Sequence, residues 1–176
     1  MNLLNAEPLL LTIAKIGVAL AGFASVVAAI RPRDQNWTLQ DVAGLKLMLE
    51  HFLAAILFGM VPSGLHLLQP DEGTLWATAS LFLGIFLLTE VLLQVNRIRA
   101  NSQKGAPPRL PKLFVFLWLS PTVGAIALQF ANVVTWAASV SYVVGLIWLL
   151  VAGCIQFLLF MRFFEQFVER NHATRQ

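Results

Sequence analysis

The stretch GLKLMLEHFLAAILF, Gly44–Phe58, decides how the chain must be read. From Leu47 onward it has the composition of a membrane-spanning helix. Yet Glu50 and His51 stand side by side a few residues in, where hydrocarbon excludes both. If the surrounding residues cross a bilayer, these two belong to a polar layer inside it. If they do not, the pair is an ordinary surface feature. The rest of the chain settles which frame applies.

Of the 176 residues, 58% are hydrophobic and 12% charged. Soluble domains carry about 25% charged residues, so the composition predicts one all-α domain, residues 1–176, embedded in a membrane. A span needs about 20 mostly apolar residues. Five segments qualify: 9–30, 45–68, 74–95 and two within the long run between Lys112 and Glu165. That run is too long for one crossing and divides into 113–131 and 140–164 around ANVVTWAASVS, with Trp136 as an interfacial anchor. The expectation is a polytopic bundle of five transmembrane helices. Continuous rather than alternating apolar runs exclude a β-barrel. The opening MNLLNAEPLL has no basic residue, and Lys15 interrupts the apolar region after it, so 9–30 reads as a retained span rather than a signal peptide.

Charge sets the orientation. Arg31, Arg33 and Lys46 follow the first span. Arg97, Arg99, Lys104, Arg109 and Lys112 follow the third. Arg162, Arg170 and Arg175 close the chain. With five crossings, every basic residue except Lys15 falls on one side. The positive-inside rule makes that side cytoplasmic. Loops 31–44 and 96–112 and the tail 165–176 are then cytoplasmic, and the N-terminus lies outside. In WTLQD, Thr38 can cap a helix with Asp41 in its first turn. The net charge of +3 therefore marks topology, not a nucleic-acid partner.

Ionisable groups inside a span are functional candidates by default. At 1.5 Å rise per residue, Glu50 lies about 8–10 Å and Glu90 about 8–9 Å from the cytoplasmic helix ends, and Gln156 about 12 Å. Glu50, His51, Glu90 and Gln156 are thus expected to form an inner-leaflet polar layer on helices 2, 3 and 5. Neighbouring residues diverge by about 100° on a helix, so Glu50 and His51 face different ways. Lys46 and Arg97 are the expected charge partners of the two acids, by ion pairing or snorkelling. Two readings of the layer stand: structural ion pairing, or an ion or proton path. His51 is the candidate pH sensor. Lys15 is expected to snorkel outward or pair with Glu7, Asp71 or Glu72.

Gly17, Ala21, Ser25 and Ala28 form a small-residue ridge on helix 1, of the kind that lets helices approach closely in lipid. Pro62, Gly64 and Pro121 are expected to kink helices 2 and 4 and to free backbone groups that neighbours must satisfy. VPSG at Val61–Gly64 lacks the first glycine of the rhomboid-protease nucleophile motif and a histidine on a second helix, so that chemistry is rejected. One cysteine, Cys154, and three scattered histidines make no metal site, and no cofactor motif is present.

WTLQD, LKLMLEHFLAAILF, LQFAN and CIQFLLF together resemble a group of small, uncharacterised bacterial polytopic inner-membrane proteins. The resemblance implies a multi-pass location in the bacterial inner membrane and carries over no catalytic residue. The expected function is that of a non-enzymatic membrane subunit, assembling through its helices with itself or with another membrane protein in the lipid bilayer. The alternatives are an oligomeric ion or proton channel or small transporter using the Glu50/His51/Glu90 layer, and a membrane-embedded enzyme without a recognisable motif.

Overall fold

A computed structural model describes residues 3–30, 39–68, 71–103 and 112–173 of the chain. The basic loop residues Arg31, Arg33, Lys104, Arg109 and Arg175, and the expected cap Thr38, lie outside them. The fold is all-α, with five helices: α1 Leu3–Ile30, α2 Leu39–His66, α3 Glu72–Gln103, α4 Lys112–Ala131 and α5 Ser139–Ala173. A short π turn, Asn132–Trp136, ends α4. Four of them, α1, α2, α3 and α5, are long and apolar enough to cross a membrane, as a multi-pass protein requires.

The helices overrun the expected spans. Helix α3 continues to Gln103, through part of the segment read as a connector, and α5 continues to Ala173, through most of the expected tail. A membrane limits the apolar run, not the helix. Nothing in NRIRANSQ breaks a helix until Gly105 and the prolines beyond it. Helix α3 also starts two residues early, because Asp71 caps it. Its Oδ2 accepts the Thr74 N–H at 2.8 Å and the Thr74 hydroxyl at 2.7 Å. Those hydrogen bonds, the hydroxyl first, hold the exposed Asp71 carboxyl below its ordinary range.

Neighbours run up and down. The Leu3 N–H donates to Glu72 Oε1 at 3.3 Å, so the start of α1 meets the start of α3. Asn132, after α4, bonds Ser80 near the start of α3. The α2–α3 turn, the α4–α5 turn and the start of α1 therefore share one end of the bundle. Helices α2 and α5 form its centre; α1 packs on both, and α3 and α4 close the other side. The core holds Met48, Phe52, Trp76, Leu83, Leu87, Tyr142, Leu146 and Leu149.

Glycine brings α1 close on α2. A Cβ at Gly17 would fall 2.9 Å from Ile56 Cγ1 and 3.1 Å from the Phe52 carbonyl oxygen. One at Gly59 would fall 3.2 Å from the Leu10 carbonyl oxygen. In lipid, where burying apolar surface between helices gains little, such contact supplies much of the association energy. The expected ridge on α1 is divided by this packing. Gly17 and Ala21 face the bundle, Ala28 is half-buried and Ser25 is exposed. The packed seam is Leu3, Ala6, Leu10, Ile13, Gly17 and Ala24, at steps of three, four and seven. Ser25 is one step off it.

Candidate functional site

The polar groups of the bundle fall into two layers. The first lies near the α2–α3 turn and was not singled out by the sequence. Pro62, buried within α2, has no N–H, so the carbonyl of Phe58 has no intrahelical donor. The hydroxyl of Tyr142, on α5, donates to that carbonyl at 2.6 Å. Tyr142 is fully buried and its ring packs on Trp76 at 5.9 Å. The expectation that a neighbouring helix must serve the group freed by Pro62 is met here. Helix α2 nevertheless runs on to His66 through Pro62 and Gly64, and α4 runs through Pro121.

Asn132 completes this layer. Its Nδ2 donates to Ser80 Oγ at 2.8 Å and to the Ala138 carbonyl at 3.0 Å, and its Oδ1 accepts the Ala138 N–H at 2.8 Å. Its own carbonyl accepts the Ala137 N–H at 2.8 Å, and Ala137 adopts the left-handed conformation, φ 44. One turn back, Gln129 Nε2 donates to the Ser141 carbonyl at 2.8 Å, while its Oε1 is buried without a partner among the described residues. Both side chains are 0% exposed. Each would cost several kcal/mol if left unpaired in hydrocarbon, so their bonds fix the α4–α5 hairpin against α3.

The second layer is the expected one. Lys46 and Glu50, four apart on α2, form an ion pair at 3.4 Å. His51 is 4% exposed, and its Nδ1–H donates to the Leu47 carbonyl of its own helix at 2.8 Å. Glu50 and His51 thus diverge, as the helical angle requires: the acid lies toward Lys46 at the bundle edge and the imidazole lies inside. Glu90, half-buried on α3, lies in the field of Glu50, Arg97 and Lys46. Arg97 is exposed, and among the described residues it makes no contact ion pair with Glu90.

Phe52 packs so closely on Gly153 that a Cβ there would lie 2.5 Å from its ring. This sets the Glu50–His51 turn beside the stretch of α5 leading to Gln156. Gln156 Oε1 is buried and unpartnered among the described residues, as is Gln94 Nε2 on α3. The four expected residues therefore lie at one level on three helices. Glu50 acts through its charge on both Glu90 and His51, while the His51 ring bonds its own backbone. Lys15 is exposed and pairs with none of Glu7, Asp71 and Glu72 among the described residues; Glu72 instead takes the Leu3 N–H. His66 is exposed at the end of α2.

Among the described residues no group of three or more His, Cys, Asp or Glu side chains is placed to hold a metal ion. No protein-family model, curated protein or solved structure matches the chain.

Proposed function

We propose that this chain is a five-crossing subunit of the bacterial inner membrane that works through helix–helix assembly. In this reading α4 is the fifth crossing. Its 20 residues span about 30 Å at 1.5 Å per residue, the thickness of the hydrocarbon layer. The basic connectors then share the cytoplasmic side, and the N-terminus lies outside.

The observation that carries the assembly reading is the outward face of α1. This helix lies at the bundle edge, packed mainly on α2 and α5 and meeting α3 only at its start. Away from its packed seam it presents Leu4, Leu11, Lys15, Val18, Gly22, Ser25 and Ala29, all exposed. These positions repeat at three, four and seven residues, the spacing of a second helix-packing seam. A Cβ at Gly22 would meet nothing within 4 Å, so the seam is open there. By contrast, Tyr142, Gln129 and His51 bond backbone carbonyls, Asn132 bonds Ser80 and the Ala138 backbone, and the four do not converge on a reacting group. The test is a photo-crosslinking residue at Gly22 in cells, with Leu158, exposed on α5, as the control position. Crosslinking to a second polypeptide from Gly22 and not from Leu158 is expected. A single-chain particle in nanodiscs with no crosslink from Gly22 removes the reading.

One observation favours a second reading, a proton or cation path. Glu90 lies in the field of Glu50 and, among the described residues, makes no contact ion pair, while Gln94 Nε2 and Gln156 Oε1 are buried without partners there. It requires flux in proteoliposomes that Glu50→Gln and Glu90→Gln abolish. Vesicles that carry the wild type and stay tight to protons, sodium and potassium dispose of it.

A further inference from the structure

Lys15 is the one basic residue left over by the topology, and the packing of α1 fixes its depth. Gly17 lies against Phe52 and Ile56, and Gly59 against Leu10 and Ala14. In this antiparallel register Lys15 lies level with Ile56. The apolar run of α2 extends from Lys46 to His66, about 30 Å at 1.5 Å per residue, and Ile56 is at its middle. Lys15 therefore lies about 15 Å from either interface. Its side chain reaches about 6 Å, too short to snorkel out.

Its direction is also fixed. The packed seam of α1 lies roughly opposite Lys15 at 100° per residue, and Lys15 is exposed. Among the described residues no acidic side chain pairs with it. An ammonium group at the bilayer centre costs about 2.5–3.5 kcal/mol on insertion scales, and among the described residues no carboxylate offsets that cost. The same face carries Gly22, Ser25 and Ala29, small residues that admit a second helix at close range.

A second copy of this chain cannot supply the carboxylate. In the same membrane orientation, Glu50 lies about 9 Å toward the cytoplasmic side of the Lys15 level, and Glu90 shares its layer. Glu50 is already paired with Lys46. Glu7 lies about 12 Å toward the other side, and Asp71 and Glu72 lie beyond it at the start of α3.

We infer that the Lys15 face of α1 docks a transmembrane helix of a different polypeptide, one carrying a carboxylate near its midpoint. The juxtaposition is an unpaired cation at mid-depth on a seam of small residues. This rests on the assembly reading and names the chemistry of the partner.

The probe is a synthetic leucine–alanine transmembrane helix with one glutamate at its centre. Its binding is followed by energy transfer to the full-length protein in phosphatidylcholine liposomes at about pH 8. Two control helices carry leucine at the centre, or the glutamate two turns nearer one end. An interhelical polar contact in lipid is worth up to about tenfold in affinity. The central-glutamate helix is therefore expected to bind about tenfold more tightly than either control. Lys15→Gln abolishes that advantage and Lys15→Arg keeps it. Lys15→Gln removes a lipid-facing charge, so it does not threaten folding.

Equal binding of the three helices overturns the inference, as does an advantage that survives Lys15→Gln. Lys15-dependent self-association without peptide also overturns it, because a second copy would then cover the face. Peptide binding that ignores both residue 15 and the glutamate leaves the broader assembly reading standing. No association of any kind on this face removes both.

Discussion

At the scale of single residues, the fold depends on polar groups in positions that apolar periodicity does not mark. Pro62 announces in the sequence that one carbonyl of α2 will lack a donor. It does not say which donor will come, because Tyr142 lies 84 residues away. Tyr142→Phe should cost about 1 kcal/mol, the scale of a hydrogen bond in a membrane protein. In a Pro62→Ala background the new N–H serves Phe58, and the cost of Tyr142→Phe should fall to roughly half or less. A double-mutant cycle read by thermal unfolding in mild detergent measures this coupling. Additive effects would mean that the hydroxyl is not serving the carbonyl freed by Pro62. Ala137 offers a second check of opposite sign. Its left-handed backbone disfavours a Cβ by about 1 kcal/mol or more. Ala137→Gly should therefore raise stability by up to about 1 kcal/mol in the same assay, and a clear loss would contradict that geometry.

At the scale of elements, the five helices were legible because each carries a continuous apolar run. The ends were not, because capping and turn chemistry decide them. The α4–α5 turn read as weakly polar and small, yet its position is set by Asn132, whose four hydrogen-bond contacts join α3, the π turn and α5. The backbone contact survives substitution and the three side-chain contacts do not. Asn132→Ala should thus cost about 2–3 kcal/mol, since it leaves the Ala138 N–H and carbonyl without their partner. If the variant unfolds with the wild type, the hairpin is held elsewhere.

Asp71 gives the other element-level prediction. Its carboxyl is held below the ordinary value of 3.8 by the Thr74 hydroxyl and N–H. A folded-state value below the unfolded one means that the cap's contribution is complete only well above the unfolded value, from about pH 5 upward. It is lost as pH falls through the lower folded value. Asp71→Asn keeps a capping oxygen but does not titrate, so its stability between about pH 5 and pH 3 should decline less than that of the wild type. Matching acid limbs would show that the cap does not contribute there.

At the scale of the whole molecule, the layer of Glu50, His51, Glu90 and Gln156 was legible as a depth and not as a site. Rise per residue gives depth; facing depends on which seam each helix buries. That is why Glu50 could be placed beside Lys46 from spacing alone, while the inward turn of His51 and the outward isolation of Lys15 could not. The same limit applies to topology. Charge counting predicts an odd number of crossings, and the hydrogen bonds of Leu3 and Asn132 put the start of α1 and the α4–α5 turn at one end of the bundle. Helix α4 must then run the full length between Lys112 and Asn132. A re-entrant α4–α5 hairpin, which would return Lys112 and the start of α5 to one face, would pull Asn132 away from Ser80. Fusions of a fluorescent reporter that matures only in the cytoplasm are expected to glow when joined after Gln103 and after Gln176. A reporter active only outside should work when joined after Asp71 and after Trp136. If the Gln103 and Gln176 fusions report opposite faces, the chain crosses an odd number of times between them. The fifth crossing would then be lost, and with it the depth assigned to Gln156.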